Sequence, residues 1–232
     1  MKKRLLRIIA NTIAANLHGT DDVSLFHGKM GTCMFLYAYA NFSEITQYEM
    51  WADEMLDDII HSDKSQMLAN IVDGYGGLGI GLCWLLQNGY AKGNPDLILQ
   101  EIDYLLFDNI EMATFSEKAY NSLFFAPSIY ISWRKALLPE GDEKTAEWEK
   151  KVKSAQDDFL AAQSKQPKMI FPENDITSND GLWWSFARQL NPIHISYSSV
   201  SQQLQQIQND FIYEMPRLNS LLAIWGLNIL YH

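Results

Sequence analysis

The side chains able to do chemistry in this chain gather near glycines. Asp73 lies three residues ahead of Gly76, and Asp180 stands directly before Gly181. Two carboxylates roughly 5 to 9 Å apart across one cleft can hydrolyse a glycosidic bond, and Glu173 and Asp175 would join these two as candidates. A carboxylate at the start of a helix also has a plain structural use, because it caps free N–H groups and is stabilised by the helix dipole. His27 precedes Gly28, where its ring can equally satisfy a neighbouring carbonyl. Cys33 and Cys83 could ligate a metal only as thiolates, yet both stand inside apolar runs, which reads as reduced core thiols of a cytoplasmic protein. Trp183 and Trp184 form an aromatic pair of the kind that lines peptide or sugar pockets and also fills cores. His18, His61 and His194 have no partners in sequence and carry no assignment.

A repeated element carries most of these residues. The stretch Ser24 to Ala40, SLFHGKMGTCMFLYAYA, is echoed by Val72 to Leu86, VDGYGGLGIGLCWLL. Gly28 and Gly31 recur 48 residues later as Gly76 and Gly79, and an unbroken apolar run follows each time. In this register Tyr75 takes the place of His27, so the position tolerates a group that does not titrate near neutral pH. Glycines three apart at the start of a helix let the backbone pass close to a neighbour or turn with positive φ. A third run, Ser122 to Trp133 (SLFFAPSIYISW), keeps Ser-Leu-Phe 98 residues after Ser24 but has lost the glycines. Gly181 to Leu190 is a weaker copy.

The spacing predicts an all-α chain in which two kinds of helix alternate. Gly28 to Phe42, Gly76 to Gln87 and Ser122 to Trp133 have little or no polar face, so protein must surround them. Lys3 to Leu17, Ser43 to His61 (with Ser43 as N-cap), Pro95 to Ile110, Glu140 to Lys165 and Ser198 to Met215 each carry a single apolar stripe and belong outside. With Gly181 to Leu190 and Ser220 to Tyr231 added to the inner set, five outer–inner hairpins result. Residues Gln166 to Asp180 form the one long irregular segment.

Composition narrows the partners. A chain of 232 residues, 47% of them hydrophobic, can bury a full core, so one domain over 1–232 is expected. A net charge of −10 argues against nucleic acid and anionic membrane surfaces and is compatible with a cationic peptide. Arg7, Asn11 and Asn16 interrupt what would otherwise read as the apolar core of a signal peptide.

At Ser24 to Gly31 and Asp73 to Gly79 the sequence resembles the lanthionine synthetase C-like family, whose repeats carry S-L-x-H-G-x-x-G or G-x-x-G-G-x-x-G at the mouth of each inner helix. The resemblance covers roughly residues 1–110. It implies an α/α toroid. Family members have seven helix pairs, and the active ones join cysteines of a precursor peptide to dehydrated serines or threonines. It also implies that His27, as the histidine of an H-G motif, can act as acid or base; beside it, the residues themselves offer Asp73 and Asp180 as catalytic candidates, and His27, Tyr75, Trp183 and Trp184 as candidates for binding. Active members hold zinc through C-x-G and C-H-G motifs. This chain has neither motif, so the resemblance implies a short, degenerate, non-catalytic form without a cofactor that binds a peptide or partner protein in a peptide-modification pathway. The alternatives are a thioether-forming cyclase with zinc on Cys33, Cys83 and a histidine, or a glycoside-processing toroid. A homo-oligomer covering an open ring edge completes the set of expected partners.

Overall fold

The computed structural model describes residues 2–64, 67–108, 117–162, 179–189, 200 and 218–231. Among these residues all regular structure is helical. The chain divides into two compact units, one of residues 1–63 with 175–232 and one of residues 64–174. None of the described helices is long and apolar enough to cross a membrane.

The first unit contains α1 (Lys2–Ala15), α2 (Lys29–Ser43), α3 (Thr46–His61), α9 (Asn179–Ala187) and α10 (Leu218–Tyr231). Helix α1 buries Leu5, Leu6, Ile9, Ala10 and Ile13 and leaves Lys3, Arg4 and Arg7 exposed, as one apolar stripe requires. Helix α2 is buried on every side from Lys29 to Ala40, because α3 flanks it, α10 flanks it and α1 touches it. Helix α10 is buried almost throughout and also packs on α1 and α9. Gly226 makes the α2–α10 approach close. A Cβ there would overlap the ring of Phe35.

The second unit contains α4 (Tyr75–Gln87), α5 (Pro95–Ile98), α6 (Gln100–Phe107), α7 (Glu117–Lys135) and α8 (Lys144–Ala162). Helix α4 is enclosed from Tyr75 to Leu85 and packs on α7 and α6, while α8 packs on α7. On α7, Ala126, Tyr130, Ile131 and Trp133 are buried, whereas Ser128 and Ser132 form an exposed edge. The single stripe of α8 includes buried Thr145 and Val152, with Trp148 half-buried.

Three local expectations need correcting. Ser43 does not cap α3. It is the last residue of α2, Glu44 turns the chain in the left-handed region (φ 59°), and α3 begins at Thr46 without a side-chain cap. Ile45 is therefore exposed, and the buried stripe of α3 is Tyr48, Ala52, Met55 and Ile59. The helix expected over Pro95 to Ile110 is broken at Leu99, and its buried residues are Leu99, Ile102, Leu106 and Phe107. Of the segment 166–180 expected to be irregular, Asn179 and Asp180 instead open α9, while 166–178 lies outside the described residues, as does 198–215 apart from Val200.

Candidate functional site

The first glycine mouth is built by residues 22–31. The Lys29 N–H donates to the Asp22 carbonyl at 2.8 Å, and the Ser24 N–H donates to Asp22 Oδ1 at 2.8 Å. This folds the loop tightly over the start of α2. A Cβ on Gly28 would overlap the Asp22 carbonyl oxygen and lie 2.5 Å from the Ser24 nitrogen, so close backbone approach excludes a side chain there. Positive φ is not the reason, since Gly28 sits at φ −119°. His27 is 9% exposed and meets Phe26 edge to face at 6.3 Å. Phe26 stacks on Trp183 at 6.1 Å, and its carbonyl accepts a hydrogen bond from Ser220 Oγ on α10. Lys29, nearly buried, reaches Asp58 Oδ2 at 2.6 Å, and that hydrogen bond holds the Asp58 carboxyl below its usual range.

The second mouth repeats this geometry. The Tyr75 N–H donates to the Leu68 carbonyl at 2.8 Å. A Cβ on Gly74 would overlap the Leu68 carbonyl oxygen and lie 2.7 Å from the Asn70 nitrogen, and Gly74 has φ −128°. The carbonyl six residues back and the N–H four residues back are the same neighbours that confine Gly28. The structural register is therefore 46 residues, Gly28 on Gly74 and Gly31 on Gly77, and not 48. The second copy holds glycines at 74, 76, 77 and 79, so glycine spacing alone admits both registers. Backbone hydrogen bonding selects one.

The corrected register changes the pairing of candidates. His27 corresponds to Asp73, not to Tyr75, and Tyr75 corresponds to Lys29. Both copies thus place an ionisable residue directly before the capping glycine, buried as His27 in one and exposed as Asp73 in the other. Among the described residues the Asp73 carboxylate makes no capping hydrogen bond to α4, whose N-cap is Gly74; the Asp73 N–H donates to Asn70 Oδ1 at 2.9 Å. The Tyr75 hydroxyl donates to the Lys64 carbonyl at 2.7 Å, which ties down the preceding loop. Asp180 and Trp184 are backbone members of α9 whose side chains lie outside the described residues, as do Glu173 and Asp175 entirely. Trp183 is wholly buried, and its Nε1 has no hydrogen-bond partner among the described residues. In the third run Ser122 to Phe124 are already helical, inside α7, so that copy forms no loop at this point.

The thiols do not fit a zinc site. Cys33 is fully buried with its Sγ 3.4 Å from the Ala52 carbonyl, and burial together with the nearby Asp53 carboxylate pushes its pKa far up. Cys83 is likewise buried and its pKa raised, chiefly by desolvation. Among the described residues no three His, Cys, Asp or Glu side chains gather as metal ligands would.

A polar cluster that the sequence did not announce lies in the second unit. Asp103 of α6 accepts the Tyr130 hydroxyl at 2.6 Å and Arg134 Nε at 3.3 Å. Arg134, 1% exposed, also donates to Asp96, which Lys144 reaches at 2.9 Å, and its guanidinium lies 5.9 Å from the centre of the Trp148 ring. Burial pushes the Asp103 carboxyl up despite these donors. The available signal was Arg134 itself, a charge at the end of an apolar run.

No protein-family model, no curated protein and no solved structure matches this chain.

Proposed function

We propose that this chain is a degenerate, non-catalytic lanthionine synthetase C-like protein that binds a peptide or partner protein at its glycine mouths, within the cytoplasm and without a metal. The observation that carries the reading is the shared geometry of the two mouths. Two loops of different sequence fold back onto Gly28 and Gly74 with the same donor, the same acceptor and the same excluded Cβ. Each mouth sets one ionisable side chain, buried His27 or exposed Asp73, at the start of an enclosed helix, and a peptide laid across the mouths would meet the exposed Asp73 carboxylate. The toroid belongs to the same proposal. Its support is that α2, the first enclosed helix, lies beside α10, the last, and that Lys2 Nζ on α1 donates to the Leu230 carbonyl at 3.3 Å. The buried thiols, with pKa values raised by desolvation, argue against thiolate chemistry.

The test combines binding with product analysis. A fluorescent peptide rich in Ser, Thr and Cys, offered in native and dehydrated forms, should raise its anisotropy on addition of the protein while its mass and free-thiol content stay constant. A peptide that is bound and loses free thiol through ring formation would restore the cyclase reading. A peptide that gives no anisotropy change in either form would remove the binding reading.

A further inference from the structure

The opposite end of α2 carries a second feature, about 20 Å from the Gly28 mouth at 1.5 Å per residue. There a recess of about 370 Å³ is lined by Lys3, Arg4 and Arg7 of α1 and by Tyr39, Phe42 and Ser43 of α2. None of the three cations forms an ion pair among the described residues. The first turn of α1 holds no acidic residue, so its free N–H groups add to the positive end of the recess. Two hydroxyl-bearing residues also line the recess. Tyr39 is 97% buried by its 3% exposure, yet its hydroxyl makes no hydrogen bond among the described residues. Ser43 Oγ is buried and has no hydrogen-bond partner among the described residues. Glu44, next in sequence, is exposed and lines no part of the recess.

We infer that this recess is a binding site for a phosphate-bearing ligand. A single carboxylate is matched by one guanidinium, whereas three cations and a tyrosine hydroxyl, none of them paired among the described residues, suit the two negative charges and several acceptor oxygens of a phosphate group. Phe42, 39% exposed at the rim, offers a ring for the body of an organic phosphate. The volume exceeds that of a bare ion. The net charge of −10 repels a long polyanion such as nucleic acid, but screening within about 8–10 Å leaves a small ligand under the local cationic field. The phosphate could be free or the headgroup of a lipid. The site lies at the far end of α2 from the mouths and does not depend on the proposed peptide binding.

Calorimetry with pyrophosphate and with ADP tests the free form, and flotation with phosphatidylcholine vesicles, with or without phosphatidylinositol 4-phosphate, tests the lipid form. The R4Q/R7Q variant replaces two exposed side chains on a helix and should weaken binding at least tenfold. Y39F keeps the ring that stacks on Phe35 at 5.8 Å and should leave the melting temperature unchanged while weakening binding severalfold. Binding of pyrophosphate or ADP identifies a soluble phosphate; flotation with the phosphoinositide alone identifies a headgroup. The proposal is overturned if no phosphate probe binds, or if the folded R4Q/R7Q and Y39F proteins both bind as the parent does.

Discussion

The ring of Trp183 occupies the space in which a side chain on Gly31 would begin. A Cβ on Gly31 would overlap Cζ2 of that ring, lie 2.6 Å from its Cη2 and lie 2.6 Å from the Leu25 carbonyl oxygen. Helices α2 and α9, more than a hundred residues apart in sequence, are thereby matched at a single missing methyl group.

Gly31→Ala should therefore destabilise the protein by about 1–3 kcal/mol through overpacking. For a chain of this size that is a loss of several degrees in melting temperature, at roughly 2–4 °C per kcal/mol. In a Trp183→Leu background the same substitution should cost less, because the offending ring is gone while the Leu25 carbonyl still crowds the methyl. Equal costs in both backgrounds, measured by urea denaturation, would show that Trp183 is not what confines Gly31. Gly79→Leu should cost about as much, since its Cβ would lie 2.6 Å from Tyr130 Cε2 and 2.9 Å from Ile102 Cγ2.

Asp103→Ala should destabilise by about 3 kcal/mol or more, because it strips a buried guanidinium of one of its two carboxylates and leaves the Tyr130 hydroxyl unpaired. The double variant Asp103→Leu with Arg134→Met should recover much of that loss, as apolar replacements of buried ion pairs commonly do. Additive losses in the two single variants would mean that the residues do not act as a pair.

The Lys29–Asp58 pair should give the stability a measurable acid limb. The hydrogen bond from Lys29 lowers the folded pKa of Asp58, so its contribution is present above the ordinary carboxylate value and is lost as pH falls through the lowered one. Asp58 is nearly half exposed, so the contribution is about 1 kcal/mol or less. Asp103 works in the opposite sense: burial raises its pKa, and its contribution is lost as pH rises. Denaturation midpoints measured between pH 3 and 7 should fall less steeply toward acid in Lys29→Met than in the parent, and an unchanged slope would remove Asp58 from the account.

Both thiols should resist a disulfide reagent at pH 8 in the native protein and react fully in guanidinium, since burial disfavours the thiolate. A chelator should leave the melting temperature unchanged, and Cys33→Ala should cost about 1 kcal/mol through lost packing alone. Elemental analysis that finds one zinc per chain, lost when Cys33 and Cys83 are both replaced by alanine, would contradict this.

The candidate site was half legible. The loop-to-helix mouths could be read because glycine before an apolar run is a local signal, and SLFHG and VDGYG stand out for it. Their register could not be read, because four glycines in the second copy satisfy the spacing twice and only the carbonyls of Asp22 and Leu68 discriminate. The consequence was functional: His27 acquired Asp73 as its counterpart. The cationic recess was equally hidden, since Arg4 and Arg7 look like the solvated face of an amphipathic helix until Tyr39 and Ser43 are placed beside them.

Helix type was determined by the sequence itself, because an all-round apolar run such as Met30 to Ala40 has no stable position except inside protein, and a single stripe such as Leu5, Ile9 and Ile13 has none except at its edge. Which helices touch was decided only in three dimensions. Hydrophobic burial is non-directional, so the pattern in α2 says that it must be covered and not by what. The choice of α10 and α9 as neighbours of α2 rests on particular shapes, the bare backbone of Gly226 against the ring of Phe35 and that of Gly31 against Trp183, and on Ser220 reaching the Phe26 carbonyl, while α3 is held by Lys29 on Asp58 and Tyr37 on Asp53. These matches join residues far apart in the chain, and no periodicity along the chain can encode them.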